Sequence, residues 1–265
     1  MQPFLARILI LAETITEGEK MFKAEIKTDT LKGLVNVIST LVDEAKFNID
    51  AEGINLKAVD PAHVAMVELT IGKGAFESFS ADSVEMGVDL DKMKDVLKLA
   101  GPGDTISMEQ DETQGRLILK VGNITRQMNL VDTSGMNDPK VPQLSLPANV
   151  DVAVAELQKG MKAAESVSDH IALSADEDSL ELFCEGDTDN VSLRLDRTKL
   201  AGISVTSKVR SLFPLDYFSN IVKAIPSDTI VRISLGSDYP VKLGFSFAND
   251  NGNVGYLLAP RIEND

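Results

Sequence analysis

An α+β fold of two similar domains, each built from antiparallel sheets with helices on one face, is what this 265-residue sequence predicts. Three observations predict it. Motifs of the first half return in the same order in the second half. Apolar residues alternate at period two over many short stretches, the signature of half-buried strands. Four further stretches carry apolar residues at helical spacing.

The duplication comes first because it sets the domain count. Leu90-Asp91, followed by Lys98 and by Pro102-Gly103-Asp104-Thr105-Ile106, returns as Leu215-Asp216, Lys223 and Pro226-Ser227-Asp228-Thr229-Ile230. The stretch Leu41–Asp60 is echoed by Val167–Asp187, each running from a helix end into two alternating strands around an acidic turn. Two copies are too few for a solenoid. They predict an N-terminal domain over 21–132, a linker over 133–147 and a C-terminal domain over 148–265. Gly135, Pro139, Pro142 and Pro147 break regular structure in that linker.

Within each half the order reads strand, helix, several strands, helix, several strands. Leu31, Leu34, Val35, Ile38, Leu41 and Val42 form one apolar stripe, matched by Val154, Leu157, Met161 and Ala164. The shorter helices carry Leu90, Met93, Val96, Leu97 and Ala100, and Leu215, Phe218, Ile221, Val222 and Ile225. Alternation marks strands at Phe47/Ile49, Ile54/Leu56, Ile171/Leu173, Leu180/Leu182 and Val231/Ile233/Leu235. Strands outnumber helices and their connections are of hairpin length, which favours antiparallel pairing.

Residues 1–20 stand apart. The run Phe4–Ala12 is broken by Arg7 and falls well short of the roughly 20 apolar residues a membrane span needs. It has no basic segment before it, as a secretory signal would. Met21 is a natural beginning, and Glu17-Gly18-Glu19 fits a purine-rich stretch upstream of it. An intact mass that includes residues 1–20 would overturn that expectation.

The chain carries 26 Lys+Arg against 41 Asp+Glu, a net charge of −15. Summed in this way, the charge argues against grasping nucleic acid, because phosphate neutralisation needs Lys and Arg. Its distribution argues otherwise. At 100° per residue Lys159 and Lys162 point away from the Leu157/Met161/Ala164 stripe, and Lys32 lies on the polar side of the first helix. Lys98 and Lys223 occupy equivalent positions of the repeat. Together they predict a local positive field within an acidic shell, diluted by Asp91, Asp95 and Asp216.

No catalytic constellation emerges. His63, His170 and the single cysteine, Cys184, lack metal-ligand spacing, and no phosphate-binding glycine loop is complete. A lone cysteine suits a reducing cytoplasm. A binding or scaffolding protein without a cofactor is expected rather than an enzyme.

Several separated motifs then carry a resemblance. Met21-Phe22-Lys23-Ala24, Asp60-Pro61-Ala62-His63-Val64-Ala65-Met66-Val67, Met86-Gly87-Val88-Asp89-Leu90, Lys223-Ala224-Ile225-Pro226 and Leu258-Ala259-Pro260-Arg261-Ile262-Glu263 resemble the proliferating cell nuclear antigen family, the DNA sliding clamps. The short acidic linker and tail are similar to its archaeal branch. The resemblance runs in register from Met21 to Asp265.

It implies a DNA clamp fold that closes into a homotrimeric ring around duplex DNA. Such a ring tethers the replicative polymerase and other replication and repair enzymes as a processivity factor. Lys32, Lys98, Lys159, Lys162 and Lys223 would face the DNA backbone through loose, sequence-independent contacts. The sequence departs from more basic members at Gly33, Ser39 and Asp95, where those often carry Lys. Polymerase, clamp loader, nuclease and ligase partners would dock by a short motif, a Gln followed by an aliphatic and two aromatic residues. The matching pocket positions are His63, Val64, Met66, Val141, Pro142, Pro240, Leu257, Leu258, Ala259 and Pro260. Read without the resemblance, Val64, Met66 and Leu258 fit a core and Pro142 a linker breaker.

Trimer closure is expected to be head to tail, pairing edge strands of successive chains. Arg116–Val121 and Ser179–Cys184 are the candidate edges, with Leu117, Leu119, Leu180 and Leu182 supplying apolar contact. The competing reading is an acidic DNA mimic that sequesters basic proteins, which would need its carboxylates clustered.

Overall fold

The computed structural model describes residues 21–262; the expectation about residues 1–20 lies outside the described residues. The first half runs β1 (Phe22–Lys27), α1 (Thr28–Ile38), β2 (Glu44–Asp50), β3 (Gly53–Val59), β4 (Ala65–Gly72), β5 (Ser78–Ala81), β6 (Val84–Asp89), α2 (Leu90–Leu97), β7 (Thr105–Asp111), β8 (Arg116–Val121) and β9 (Ile124–Asn129). The second half repeats the order with β10 (Ala148–Ala153), α3 (Val154–Ala164), β11 (His170–Ala175), β12 (Ser179–Glu185), β13 (Asn190–Asp196), β14 (Gly202–Val205), β15 (Val209–Pro214), α4 (Leu215–Ala224), β16 (Ile230–Leu235), β17 (Val241–Phe247) and β18 (Gly252–Leu258).

All strand pairings between these elements are antiparallel. In the first half β5-β1-β7-β8-β9 form one sheet, and β4-β3-β2-β6 pair in that order. Their counterparts are β14-β10-β16-β17-β18 and β13-β12-β11-β15. The repeat read in the sequence is therefore a repeat of two sheets per half. At the boundary β18 pairs with β4 from Gly252↔Ile71 to Leu258↔Ala65, fusing two of these sheets into a single sheet of nine strands.

The helices form where the sequence supplies an apolar stripe and a stop. In α2 the Asp89 carboxylate accepts the Lys92 amide at 2.9 Å, capping the start, and Gly101-Pro102 follows its end. Ile225-Pro226 ends α4 in the same manner. Every predicted stripe residue except the half-buried Val42 is in the core. Helix α1 packs on α2, α3 on α4, and α1 on α4 across the boundary, so the helices stand in a row α2-α1-α4-α3.

Two tyrosine hydroxyls bind the halves together. Tyr256 on β18 is fully buried and donates to the Val37 carbonyl at the end of α1, 2.7 Å away. Burial pushes its ionisation well above the ordinary range. Tyr217 on α4 donates to Asp60 between β3 and β4 at 2.8 Å.

The connection from β9 to β10 is tacked down along its length. Val131 and Gly87 form a bridge, with the Val131 amide 2.8 Å from the Gly87 carbonyl. A Cβ at Gly87 would sit 2.2 Å from the Val131 carbonyl oxygen, so only glycine admits this approach. Farther on, Asp138 pairs with Lys46 at 3.2 Å.

Candidate functional site

The polar side of the helix row carries the five predicted lysines, in unequal states. Lys159 lies 2.7 Å from Glu156, one turn back on α3, and Lys98 lies 2.9 Å from Asp95. Lys223 is paired with Glu165, whose carboxyl is held below its ordinary range first by that lysine and then by Ser219. Hydrogen bonding and charge from Lys98 lower Asp95 likewise. Lys32 is half-buried and donates to the Ala100 carbonyl at 3.1 Å, so it closes the end of α2 rather than standing free. Lys162 is exposed, and among the described residues it makes no ion pair within 4 Å. The acids are interleaved with the lysines along these helices, so the row is a surface of alternating charge.

The second region lies on the outer face of the nine-stranded sheet. The chain from Lys140 to Leu144 crosses over Lys57, Glu68, Lys242 and Leu257, enclosing a cavity of about 480 Å³. Of the predicted pocket residues, Val141, Pro142 and Leu257 line it. Met66 is the cross-strand partner of Leu257 and therefore shares its face. Ala259 donates to the Val64 carbonyl at 2.9 Å, drawing His63, Val64, Ala259 and Pro260 into one strip beside the cavity. Pro240 leads into Val241, which pairs with Leu258.

Leu258 does not belong to this surface. It is fully buried, because alternation along β18 turns Leu257, 9% exposed, to the face covered by Lys140–Leu144 and Leu258 into the core beside Tyr256. The same alternation places Glu68 and Lys242 on the outer face, a signal present in the sequence and left unused there. Beyond them a trough of about 740 Å³ continues over Gly244 and Gly255 to the Arg232–Asp151 pair, whose contacts are 2.7 and 2.8 Å.

The loop that leads into β4 is organised by Asp60, only 3% exposed. Its Oδ1 accepts the amides of Val64 at 2.7 Å and Ala65 at 2.6 Å. Its Oδ2 accepts the Ala62 amide at 3.0 Å and the Tyr217 hydroxyl at 2.8 Å. Burial alone would raise this carboxyl; the Ala65 amide, the Tyr217 hydroxyl and the other two amides outweigh it and hold it below the ordinary range. The partner hydroxyl of Tyr217 is pushed up to about 12, first by that bond and then by burial. Within the loop His63 adopts φ 57°, a left-handed backbone uncommon for a residue with a Cβ. Nothing local in the sequence around Tyr217 signals this contact, which spans 157 residues.

The predicted edges are displaced by one strand. Strand β8 lies between β7 and β9, and β12 between β11 and β13. Leu117, Leu119, Leu180 and Leu182 are at most 2% exposed and face the core. The strands outside them, β9 and β13, are among the sheet edges, and there Ile124 is 46% exposed and Val191 and Leu193 are half-buried.

No group of His, Cys, Asp or Glu that could hold a metal occurs among the described residues. No helix among them is long and apolar enough to cross a membrane.

Comparison with known proteins gives concordant matches. The family model "Proliferating cell nuclear antigen, N-terminal domain" matches residues 21–136, and its C-terminal counterpart matches 140–261. A DNA polymerase sliding clamp of Methanococcoides burtonii is 44% identical over 246 residues, covering 92% of this chain and all of that one. Among solved structures, that of the C-terminal region of FEN-1 bound to A. fulgidus PCNA superposes with a TM-score of 0.86 at 31% identity, over 92% of this chain and all of that one. PCNA from Thermococcus kodakaraensis gives 0.84 at 27% identity, over 91% of this chain and all of that one.

Proposed function

This chain belongs to the proliferating cell nuclear antigen family and is a DNA sliding clamp, and from that premise we propose that three copies close head to tail into a ring around duplex DNA. The observation that carries this reading is the repeated sheet pair. Within the chain the last strand of the second half, β18, pairs with β4 of the first. The equivalent strands, β9 of the first half and β13 of the second, are left as edges. An open edge is a template for pairing, so β9 of one chain seated on β13 of the next repeats a joint the chain already makes. In that ring the helix row continues from chain to chain and lines the hole.

Retention on DNA then comes from topology rather than affinity. A net charge of −15 is compatible with this role because a closed ring needs only weak, sequence-independent phosphate contacts, which leave the energy profile flat along the duplex. Lys162, Lys159, Lys98 and Lys223 would supply them, with Lys32 engaged in the helix row itself. Residues 21–132 and 148–265 act as the two domains, joined by 133–147.

The groove under Lys140–Leu144 would take the short peptide motif of polymerase, clamp loader, nuclease and ligase partners. Aromatic anchors would enter beside Val141, Pro142, Leu257 and Met66. The reading assigns no catalytic step to the chain and a cytoplasmic location. Size-exclusion chromatography with light scattering, coupled to retention on circular and linearised plasmid, tests it. A trimer held on circles and lost from linear DNA is expected. A monomer with no preference between the two overturns it.

A further inference from the structure

The Asp60 carboxylate ties its own loop, which lies beside the β18 end, to helix α4 of the other half. It is buried, and it gathers the amides of Ala62, Val64 and Ala65 from its own loop and the Tyr217 hydroxyl from the other half of the chain. That loop in turn holds the chain end, through the Ala259 amide on the Val64 carbonyl at 2.9 Å. Its backbone includes His63 in the left-handed region, a conformation that persists only where surrounding contacts fix it. Of the four donors to the Asp60 carboxylate, the Tyr217 hydroxyl alone comes from the opposite half.

We infer that the Tyr217–Asp60 hydrogen bond positions the 60–65 loop against the β18 end, so that Tyr217 is a positioning residue for partner-peptide affinity although it does not line the groove. The inference rests on the partner-groove reading above. Its physical basis is the division of labour between the two carboxylate oxygens. Oδ1 is satisfied by two amides of the loop, whereas Oδ2 has one amide and Tyr217. Removing the hydroxyl leaves a buried anionic oxygen short of a donor, and such groups recover a partner by moving toward water. Asp60 cannot move without drawing the Ala62, Val64 and Ala65 amides with it. The strip of Val64, Met66 and Ala259 then shifts relative to Leu257. Because α4 carries Tyr217, the loop is keyed to the relative pose of the halves, and a peptide that touches both halves meets a wall already in place.

The test uses the full chain and a synthetic peptide bearing a Gln, a Leu and a Phe-Phe pair, titrated calorimetrically. Tyr217→Phe removes only the hydroxyl. Tyr256→Phe is the comparison, since it removes the other hydroxyl that joins the halves, away from the loop. Amide hydrogen exchange over 62–65 is read in parallel. Tyr217→Phe is expected to weaken the peptide about five- to tenfold and to speed exchange of the Val64 and Ala65 amides. Tyr256→Phe is expected to lower the melting temperature while binding peptide as the unaltered chain does. Equal losses of affinity in both variants would mean that a general loosening is at work, and would overturn the inference. Unchanged affinity in Tyr217→Phe would overturn it as well, leaving the groove reading intact. Failure of the unaltered chain to bind the peptide would overturn both.

Discussion

Glu156→Gln should make DNA binding more sensitive to salt, although it adds no positive charge of its own. In the structure the Lys159 ammonium lies 2.7 Å from the Glu156 carboxylate, so a phosphate must compete with an acid on the same helix. Replacing that acid by its neutral amide frees the lysine to neutralise a phosphate. Each phosphate so neutralised steepens the dependence of log K on log salt by about 0.9. Three copies in the proposed ring would therefore steepen it by up to about 2.7. Between about 50 and 200 mM salt this amounts to an extra loss of affinity of about 40-fold. The fold should survive, since the change removes one acid from the first turn of α3, worth about 0.3–1 kcal/mol. Fluorescence anisotropy of a labelled duplex over a salt series measures the slope, with Glu156→Gln/Lys159→Gln returning it to that of the unaltered chain or below. An identical slope in Glu156→Gln and the unaltered chain would refute the reasoning, because Lys159 would then not face phosphate at all.

Three further outcomes follow from burial, charge and edges. Leu258→Ala should cost about 2–5 kcal/mol of stability, whereas Leu257→Ala should stay folded and weaken the peptide; thermal melts and calorimetry separate them, and identical behaviour would contradict the alternation along β18. Acid should destabilise the chain partly through Asp60. A carboxyl held below its ordinary range in the folded state adds stability above that range, and this is lost as pH falls through the folded value, below about pH 4. Asp60→Asn should therefore lower the denaturation midpoint at neutral pH and flatten its fall in acid, and a parallel pH curve would count against the carboxylate's role. Ile124→Glu places a charge on the β9 edge and should shift the assembly from trimer to monomer in light scattering, while a scan of the melted monomer stays cooperative; a persistent trimer would point to a different edge.

Much of this was legible in one dimension because it is written in local periods. The stripes at Leu31, Leu34, Val35 and Ile38 and at Leu215, Phe218, Ile221 and Val222 specify helices and their buried sides together. The echo of Leu90–Ile106 in Leu215–Ile230 announces two copies of one unit, and the structure realises it sheet for sheet. Motif resemblance added the family. Misreadings arose where a residue's role depends on its neighbours in space. Leu257 and Leu258 are chemically alike and adjacent, yet one lines the groove under Lys140–Leu144 and one lies in the core on the opposite face of the sheet. The leucines of β8 and β12 have the look of edge residues only while β9 and β13 are not known to pair outside them.

The sequence by itself determined the helices, the strands, the duplication and the family, since each rests on patterns repeated within a few residues or between copies. Tertiary structure alone decided which strands are left open, that Glu165 holds Lys223 and the Ala100 carbonyl holds Lys32, and that Tyr217 reaches Asp60. The physical reason is that hydrogen bonds and ion pairs act over about 3 Å of space, and folding brings within that distance residues far apart along the chain, 58 positions for Glu165 and Lys223 and 157 for Asp60 and Tyr217.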